Sequence, residues 1–580
     1  MFLATTSLEE FWDINDKIIF LGKWCMLDSR KDFWNKLDYT TIPELASKWQ
    51  NPEVIDQSIE YCDVVYEKVL SELTNILNNI HKVNYDKQYY RIILGNWLLC
   101  FINLTYERYQ NLKYAISNFN NVNTFLLDES QFVIPVDCKD FFYYFMNEDH
   151  YNLQLFTQIF RFLEVDFICK KSSKPIVQKL ELASHKNFKT QLSSFFLKLI
   201  SFTAILNNKD KITITEPYFK YSPFISYLNL YLKSKSNIIF DNMCYDFNFK
   251  FNIDMNLRKF LSLNLNDSEF TQIFSNLIFQ NLPVIYLEVF QNFNDFVTSL
   301  PIKKSKAFFT LNAINQNNIY KFYIAQNHNK VDNYIMQHGG NYGVEKNKNT
   351  ENYEKSVSKQ FYTWGWEEDN KTLPLAPAEI SDFLNIKTLP QSKNICLILT
   401  MAGRYHFLFC FGASNYNFSN FITNDFIFLK NLKNDIKKII RFYPSDLGEW
   451  NVKKAFNEAA LSFNTDDMTQ KFIERLPKYN ICVFDHLSTT FLETLALNKP
   501  TVIFADPKVY KLRPSAQPYF DMLEKVKILH YSPTSAAEHV NKIYDDVNKW
   551  WLCPKVQQTR KIFVNRFARI SKNWVKEWAE

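Results

Sequence analysis

Glycine is scarce in this chain, with 9 residues in 580, against a usual share of about 7%. Glycine is the default residue where backbone turns at positive φ or lies close against a ligand. The pair Gly339-Gly340 therefore carries more information here than it would in an ordinary sequence. Charge of one sign is also lacking: 67 basic against 61 acidic residues leave a net +6, with no dense Lys/Arg run interleaved with aromatics. That excludes nucleic acid as an expected partner. None of the ten cysteines forms a CxxC pair, and several sit in apolar runs, as expected of reduced, buried thiols in a cytoplasmic protein. No His/Cys/carboxylate cluster has metal-ligand spacing, so no metal and no resident cofactor are expected, although the Asp466-Asp467 pair keeps the metal question open. The opening Met1-Phe2-Leu3-Ala4 runs into Glu9 and Glu10 without the basic region of a signal peptide. The longest apolar stretches, Ile92–Leu104 and Leu192–Leu206, are interrupted by Asn96 and Lys198. Both fall short of the roughly 20 residues that span a bilayer. A cytoplasmic location is expected, and the weak positive charge leaves peripheral contact with the inner membrane open.

What is present is an ordinary globular balance, 47% hydrophobic and 22% charged. The chain is too long for one core. The aromatic share of 17% needs no more than AT-rich coding to explain it. The first third reads as helical, with amphipathic runs at Asp56–Ile80 and Tyr151–Glu164, except for the strand-like KIIFLG (17–22). From about 280 to 366, PVIYLEV, AFFTLNA, YKFYIAQ, YIMQHGG and QFYTWGW read as strands. Residues 371–393, with three prolines and no period, read as a linker. Beyond them strands and helices alternate in a doubly wound pattern. The expected class is α/β: two Rossmann-type domains facing a cleft, with a helix-rich N-terminal half. The expected bounds are 1–385 for an acceptor-side domain with large helical insertions, 386–554 for a nucleotide-sugar-binding domain, and 555–580 for a helix packing back on the first.

Two constellations carry the chemistry. In Asp485-His486-Leu487-Ser488-Thr489-Thr490-Phe491-Leu492-Glu493 a buried strand ends, three hydroxyl residues follow and a helix begins. Ligands bind at the carboxyl ends of strands in open α/β sheets, and a helix start there offers free N–H groups to a phosphate. A capping box between Thr490 and Glu493 is the plainer account, but it leaves Ser488 and Thr489 unexplained. In Met336-Gln337-His338-Gly339-Gly340-Asn341-Tyr342-Gly343 an imidazole stands at a strand end beside two glycines. The alternative there is a tight turn with a satisfied core histidine. Glu345, Glu351 and Glu354 follow, as groups that orient the imidazole or replace it as base. Arg404 follows a predicted strand, Arg441 lies in the Arg-Phe-Tyr-Pro end of another, and both suit phosphate through their forked donors. The Leu21–Cys25 turn is another position that would face the cleft.

The second half of the first constellation resembles the donor-binding segment of GT-B glycosyltransferases, with the pattern Glu-Ala-Leu-Ala-x-Gly-x-Pro. The matching residues are Glu493-Thr494-Leu495-Ala496-Leu497-Asn498-Lys499-Pro500, with Asn498 in place of glycine. The resemblance implies that Glu493 binds the nucleotide ribose. The hydroxyl cluster is similar to the phosphate-binding motif of bacterial sialyltransferases and CDP-glycerol-dependent polymerases. FLATTSLEEFW, LGKWC, YRIILGNWL, QHGGNYG, TWGW and DHLSTTFLETLALNKP together resemble a family of transferases encoded among bacterial surface-carbohydrate genes, O-antigen loci included. That likeness implies sugar transfer from a nucleotide-activated donor to a glycan or lipid-linked acceptor. Donor contacts would come from Gly339, Gly340, Arg404, Arg441, Ser488, Thr489, Thr490 and Glu493, with His338 catalytic. A sugar-nucleotide epimerase of the same architecture and a non-catalytic assembly factor are the rival readings.

Overall fold

The computed structural model describes residues 1–163, 165–184, 210–219, 223–235, 237–302, 305–384, 393–459 and 461–580. The Leu192–Leu206 run, Glu164 and the expected boundary at 385/386 lie outside the described residues. The class is mixed α/β and helix-rich, built on three parallel sheets. The first contains β1 (Phe2–Ala4), β2 (Ile18–Phe20), β3 (Tyr39–Thr41), β4 (Asn123–Leu127) and β5 (Asp166–Lys170), in the order β3-β2-β1-β4-β5. A small antiparallel ribbon pairs β6 (Glu181–Ala183) with β9 (Asn248–Lys250). The central sheet contains β7 (Ile212–Thr215), β8 (Ile238–Phe240), β10 (Ala307–Thr310), β11 (Asp332–Met336), β12 (Gln360–Thr363) and β13 (Thr372–Pro374), in the order β13-β12-β11-β10-β7-β8. The third contains β14 (Ile395–Ile398), β15 (Lys438–Arg441), β16 (Asn464–Thr465), β17 (Ile481–Phe484), β18 (Thr501–Phe504) and β19 (Leu529–His530), in the order β16-β15-β14-β17-β18-β19.

Numbered within itself, the third sheet runs 3-2-1-4-5-6, the Rossmann order, and the central one runs 2-1-3-4-5-6. β14 and β17 are apolar along their whole length, β18 is so after Thr501, and all three are fully buried, as strands covered on both faces must be. The expected pair of Rossmann-type sheets is there. KIIFLG does form a strand, but it belongs to a further doubly wound sheet within the first 170 residues. Three-residue strands such as β1 and β3 are too short to show a period.

Three local readings change. YKFYIAQ lies inside the Asn318–Asn327 helix, which starts where the Asn317 side chain accepts from Tyr320 N–H. An apolar run of seven cannot settle helix against strand by periodicity. PVIYLEV makes a buried 3₁₀ turn at Val284–Tyr286, because its N–H groups at Val284 and Ile285 pair with the carbonyls of Pro135 and Val136. Within the expected linker, Thr372–Pro374 is the edge strand β13, its proline at a sheet margin where a missing donor is tolerated.

The Lys87–Asn118 helix runs through the centre of the molecule and is buried on nearly every side. The last two helices link the sheets. Pro554–Phe567 packs on the helix after β17, with Arg560 donating to the Leu495 carbonyl at 2.8 Å. Trp574–Ala579 then lies against the central unit, where Trp574 donates to Asp382 and Trp578 to the Ala376 carbonyl.

Candidate functional site

The strand β11 delivers Gln337 and His338 at its carboxyl end, and Gln337 anchors the turn that follows. Its Oε1 accepts from Trp364 N–H at 2.8 Å and from the Trp366 indole at 2.7 Å, while its Nε2 donates to the Gly339 carbonyl at 3.0 Å. The backbone then crosses to the third sheet. Gly340 N–H donates to Thr489 Oγ1 at 2.8 Å. A Cβ on Gly340 would stand 2.6 Å from the Ser488 carbonyl carbon and 2.7 Å from Thr489 N, so only glycine permits this approach. Gly343, at φ +70°, is the second place where the turn needs a residue without a side chain, since a Cβ would meet the Trp366 ring at 2.5 Å. Farther along, Lys346 N–H donates to the Lys511 carbonyl and Arg513 N–H to the Val344 carbonyl, tying this loop to the segment after β18.

Between the two strand ends lies a cavity of about 390 Å³. His338, Gly339, Gly340 and Thr489 line it together with Lys348 and Glu354. The His338 side chain is 27% exposed, and its Nδ1 lies 3.7 Å from Glu354 Oε1 and 3.4 Å from the Tyr342 hydroxyl. Burial, with Lys348 nearby, pushes the imidazole down to about 4, so it is neutral at pH 7. Glu354 is buried, accepts from Asn315 Nδ2 at 2.8 Å, and is raised by burial to about 8. A neutral imidazole keeps one unprotonated ring nitrogen that can accept a proton from a hydroxyl in the cavity, while Glu354, protonated at pH 7 and 3.7 Å away, brings no charge to it.

Of the expected phosphate and ribose contacts at 488–493 only Thr489 lines the cavity, and Ser488, Thr490 and Glu493 do not. Ser488 is the N-cap of the Thr489–Ala496 helix, and its side chain makes no capping bond. Its hydroxyl lies 3.4 Å from that of Thr490. The capping box between Thr490 and Glu493 therefore does not form: both residues are inside the helix. Glu493 is buried on that helix, and Asn498, which stands where the pattern has glycine, adopts the left-handed conformation at φ +57°, one that asparagine tolerates. Just before the cap, Asp485 accepts from Thr400 N–H at 3.0 Å and holds His486 Nδ1.

The other predicted residues have different partners. Arg404 is buried against Asp149 at 2.8 Å, with Ser7 and Glu449 nearby. Arg441 pairs with Asp466, which Arg475 also holds, and donates to the Gln470 carbonyl at 2.8 Å. Neither arginine lines the cavity. Glu351 is engaged by Arg513 at 3.0 Å and by Gly343 N–H at 2.9 Å, which leaves Glu354 as the carboxyl beside the imidazole. Glu345 is buried beside Lys348, 4.0 Å away. In the Leu21–Cys25 turn, Trp24 donates to the Thr5 carbonyl and Lys23 to Ser419 Oγ, so the turn braces the first sheet against the third. Sequence reasoning missed Lys348, Asn312 and Asn315, which line the cavity. Lys348 had one available signal, its place within the loop between β11 and the Glu354 helix.

The family model described as "LIC12162 family transferase" matches residues 1–580, and the chain belongs to that family. Among curated proteins nothing matches. Solved structures of similar shape include UDP-GlcNAc 2-epimerase from Neisseria meningitidis bound to UDP-GlcNAc. It has 10% identity and a TM-score of 0.33, and the match covers 61% of this chain and 98% of that one. Others are the S. aureus MnaA–UDP co-structure, at 9% identity, TM-score 0.35 and 63% and 93% coverage, and the OtsA apo structure, at 7%, 0.35, and 63% and 97%.

Proposed function

We propose that this member of the LIC12162 transferase family is a GT-B-type glycosyltransferase that moves a sugar from a nucleotide-activated donor to a cell-surface glycan or its lipid-linked precursor. One observation carries the reading. The two motifs singled out for chemistry lie on separate doubly wound sheets, and they meet at the Gly340–Thr489 hydrogen bond beside one cavity. The donor phosphate would lie at Ser488–Thr490, where the helix start has no side-chain cap. Glu493 would hold the ribose. His338, kept neutral by burial, would take the acceptor proton, with Glu354 positioning the ring.

The reaction as proposed needs no metal and no cofactor beyond its sugar-nucleotide substrate. In support, Asp466 is taken up by Arg441 and Arg475, and Asp467 accepts from Thr469. Among the described residues no helix is long and apolar enough to cross a membrane. We place the protein in the cytoplasm, at the membrane face where a lipid-linked acceptor would be presented. The test is a melting-temperature panel of CMP, CDP, UDP and GDP, followed by transfer assays with the matching sugar nucleotides. Release of nucleotide that depends on an added glycan acceptor supports the reading. Turnover of the sugar nucleotide without any acceptor would replace transferase by epimerase.

A further inference from the structure

Two asparagines stand in the apolar run Ile92–Leu104 of the central helix, and the protein treats them oppositely. Asn103 is fully buried and satisfied: its Nδ2 donates to the Leu99 carbonyl at 2.8 Å, and its Oδ1 accepts from Phe409 N–H at 3.2 Å. Asn96 is 7% exposed, and among the described residues no hydrogen bond reaches its carboxamide. Neither of its amide atoms is sealed inside the protein, and the residue lines the cavity that holds His338. Buried amides are normally hydrogen-bonded. One that is nine-tenths buried, unpartnered and open only toward a cavity is left for a ligand.

The surroundings fix where Asn96 faces and what it can meet. The Tyr353 hydroxyl donates to the Ile92 carbonyl at 3.3 Å, which holds the Asn349–Ser356 helix against the central one. Asn96 and Cys100, one helical turn apart, then face the same space as Glu354. Two more carboxamides face it from the Ala313–Gln316 helix. Asn315 gives its amide protons to Asn312 Oδ1 at 3.1 Å and Glu354 Oε1 at 2.8 Å, so its own oxygen is left to accept. Gln316 Oε1 accepts from the Tyr143 hydroxyl at 3.3 Å, so its amide N–H groups are left to donate. The charged side chains of the lining already have partners, Lys348 in Glu345 at 4.0 Å and Glu354 in Asn315. What remains is a set of uncharged donors and acceptors, which matches hydroxyl groups, since each hydroxyl both donates and accepts. At about 390 Å³ the cavity is within the range of roughly 300–1,000 Å³ usual for small-molecule sites.

We propose that Asn96 binds the acceptor, holding two adjacent hydroxyls of an uncharged sugar ring between its amide oxygen and nitrogen, with Asn315 and Gln316 completing the contact. The acceptor role rests on the transferase reading above, in which the donor lies on the Thr489 side; the three carboxamides come from the N-terminal half. Suitable probes are the methyl β-glycosides of glucose, galactose and N-acetylglucosamine, with tetrahydropyran as the same ring without hydroxyls. Saturation-transfer NMR titrations on the full chain should show at least one glycoside bound and tetrahydropyran not. Asn96→Leu, close in size, and Asn96→Ala should each weaken that glycoside by roughly tenfold or more. Melting temperature and nucleotide affinity should hold in both, because the amide supports no other group of the protein. Absence of binding by all three glycosides would overturn the proposal, as would equal binding of tetrahydropyran or of the glycoside to both variants. A lowered melting temperature in both variants would make the amide structural, and a fall in nucleotide affinity would assign it to the donor; either result overturns the acceptor contact. If the glycoside results hold while no nucleotide binds the wild type, the sugar site stands and the glycosyltransferase reading alone fails.

Discussion

The carboxyl edges of the first and central sheets occupy equivalent places in doubly wound folds, and they end up as opposites. After β1, the backbone at Ser7 meets Asp149, which also accepts from Tyr405 at 2.5 Å and pairs with Arg404 at 2.8 Å. The charge on Asp149 is answered from both sides, and the edge is plugged by the loop after β14. After β11, the corresponding edge opens onto the cavity, with an imidazole 27% exposed beside a buried carboxyl that pairs with no lysine or arginine among the described residues. A strand end in an α/β sheet is thus only a location. Whether it becomes a site depends on whether its polar groups are satisfied by the protein or left for a ligand.

The largest expected effect comes from removing the unsatisfied side of this comparison. His338→Ala should lower transfer by roughly 10²–10⁴-fold with nucleotide affinity and melting temperature little changed. A stable variant with normal turnover removes the imidazole from the mechanism. Breaking the satisfied side should do the reverse. Arg404→Ala strands Asp149 in a buried setting and should cost about 3–5 kcal/mol in denaturant unfolding, with nucleotide affinity of the folded protein retained. If affinity falls with stability intact, Arg404 belongs to the donor site after all.

Gly340→Ala tests the bridge between sheets. Its Cβ would press on the Ser488–Thr489 peptide, so the sheets must separate or the turn must shift, at a cost of about 1–3 kcal/mol and with weakened nucleotide binding. Full stability and affinity in that variant would mean that the two motifs do not meet. The smallest effect concerns pH. Glu354 is raised from an ordinary 4.5 to about 8, so between those values the folded state holds a proton that the unfolded chain has lost. Its contribution is present at low pH and is lost as pH rises through 8. His338 is depressed from 6.5 to about 4, so its own contribution is already complete above pH 6.5. From pH 6.5 to 8.5 the wild-type melting temperature should fall relative to Glu354→Gln by roughly 1–3 °C. Parallel profiles would show that the carboxyl is not held protonated.

Much of this was legible in the sequence because it is local. The strand ends at 336 and 484, the glycine pair and the hydroxyl run each lie within a few residues of one another. The transferase family could likewise be identified from short stretches. The partners that decide each residue's role are not local. Asp149 is 255 positions from Arg404, and nothing near Arg404 indicates that it is already paired. The choice of Glu354 over Glu351 depends on Arg513, 162 positions away from Glu351. Helix against strand failed at YKFYIAQ because its aromatics suit both, and a single capping asparagine decides. Asn312 carries no sequence mark and Lys348 only its place in the loop after β11, and the fold alone brings them to the cavity.

The central claim is that the cleft between the ends of β11 and β17 holds the donor nucleotide. Ser488 tests it most directly, because its hydroxyl makes no capping bond and can be removed without breaking the Gly340–Thr489 contact. Calorimetric titration of nucleoside diphosphates into wild-type protein and Ser488→Ala should show binding that weakens by roughly tenfold or more in the variant, at an unchanged melting temperature. Equal affinity in the two proteins, or no nucleotide binding to the wild type, would contradict it.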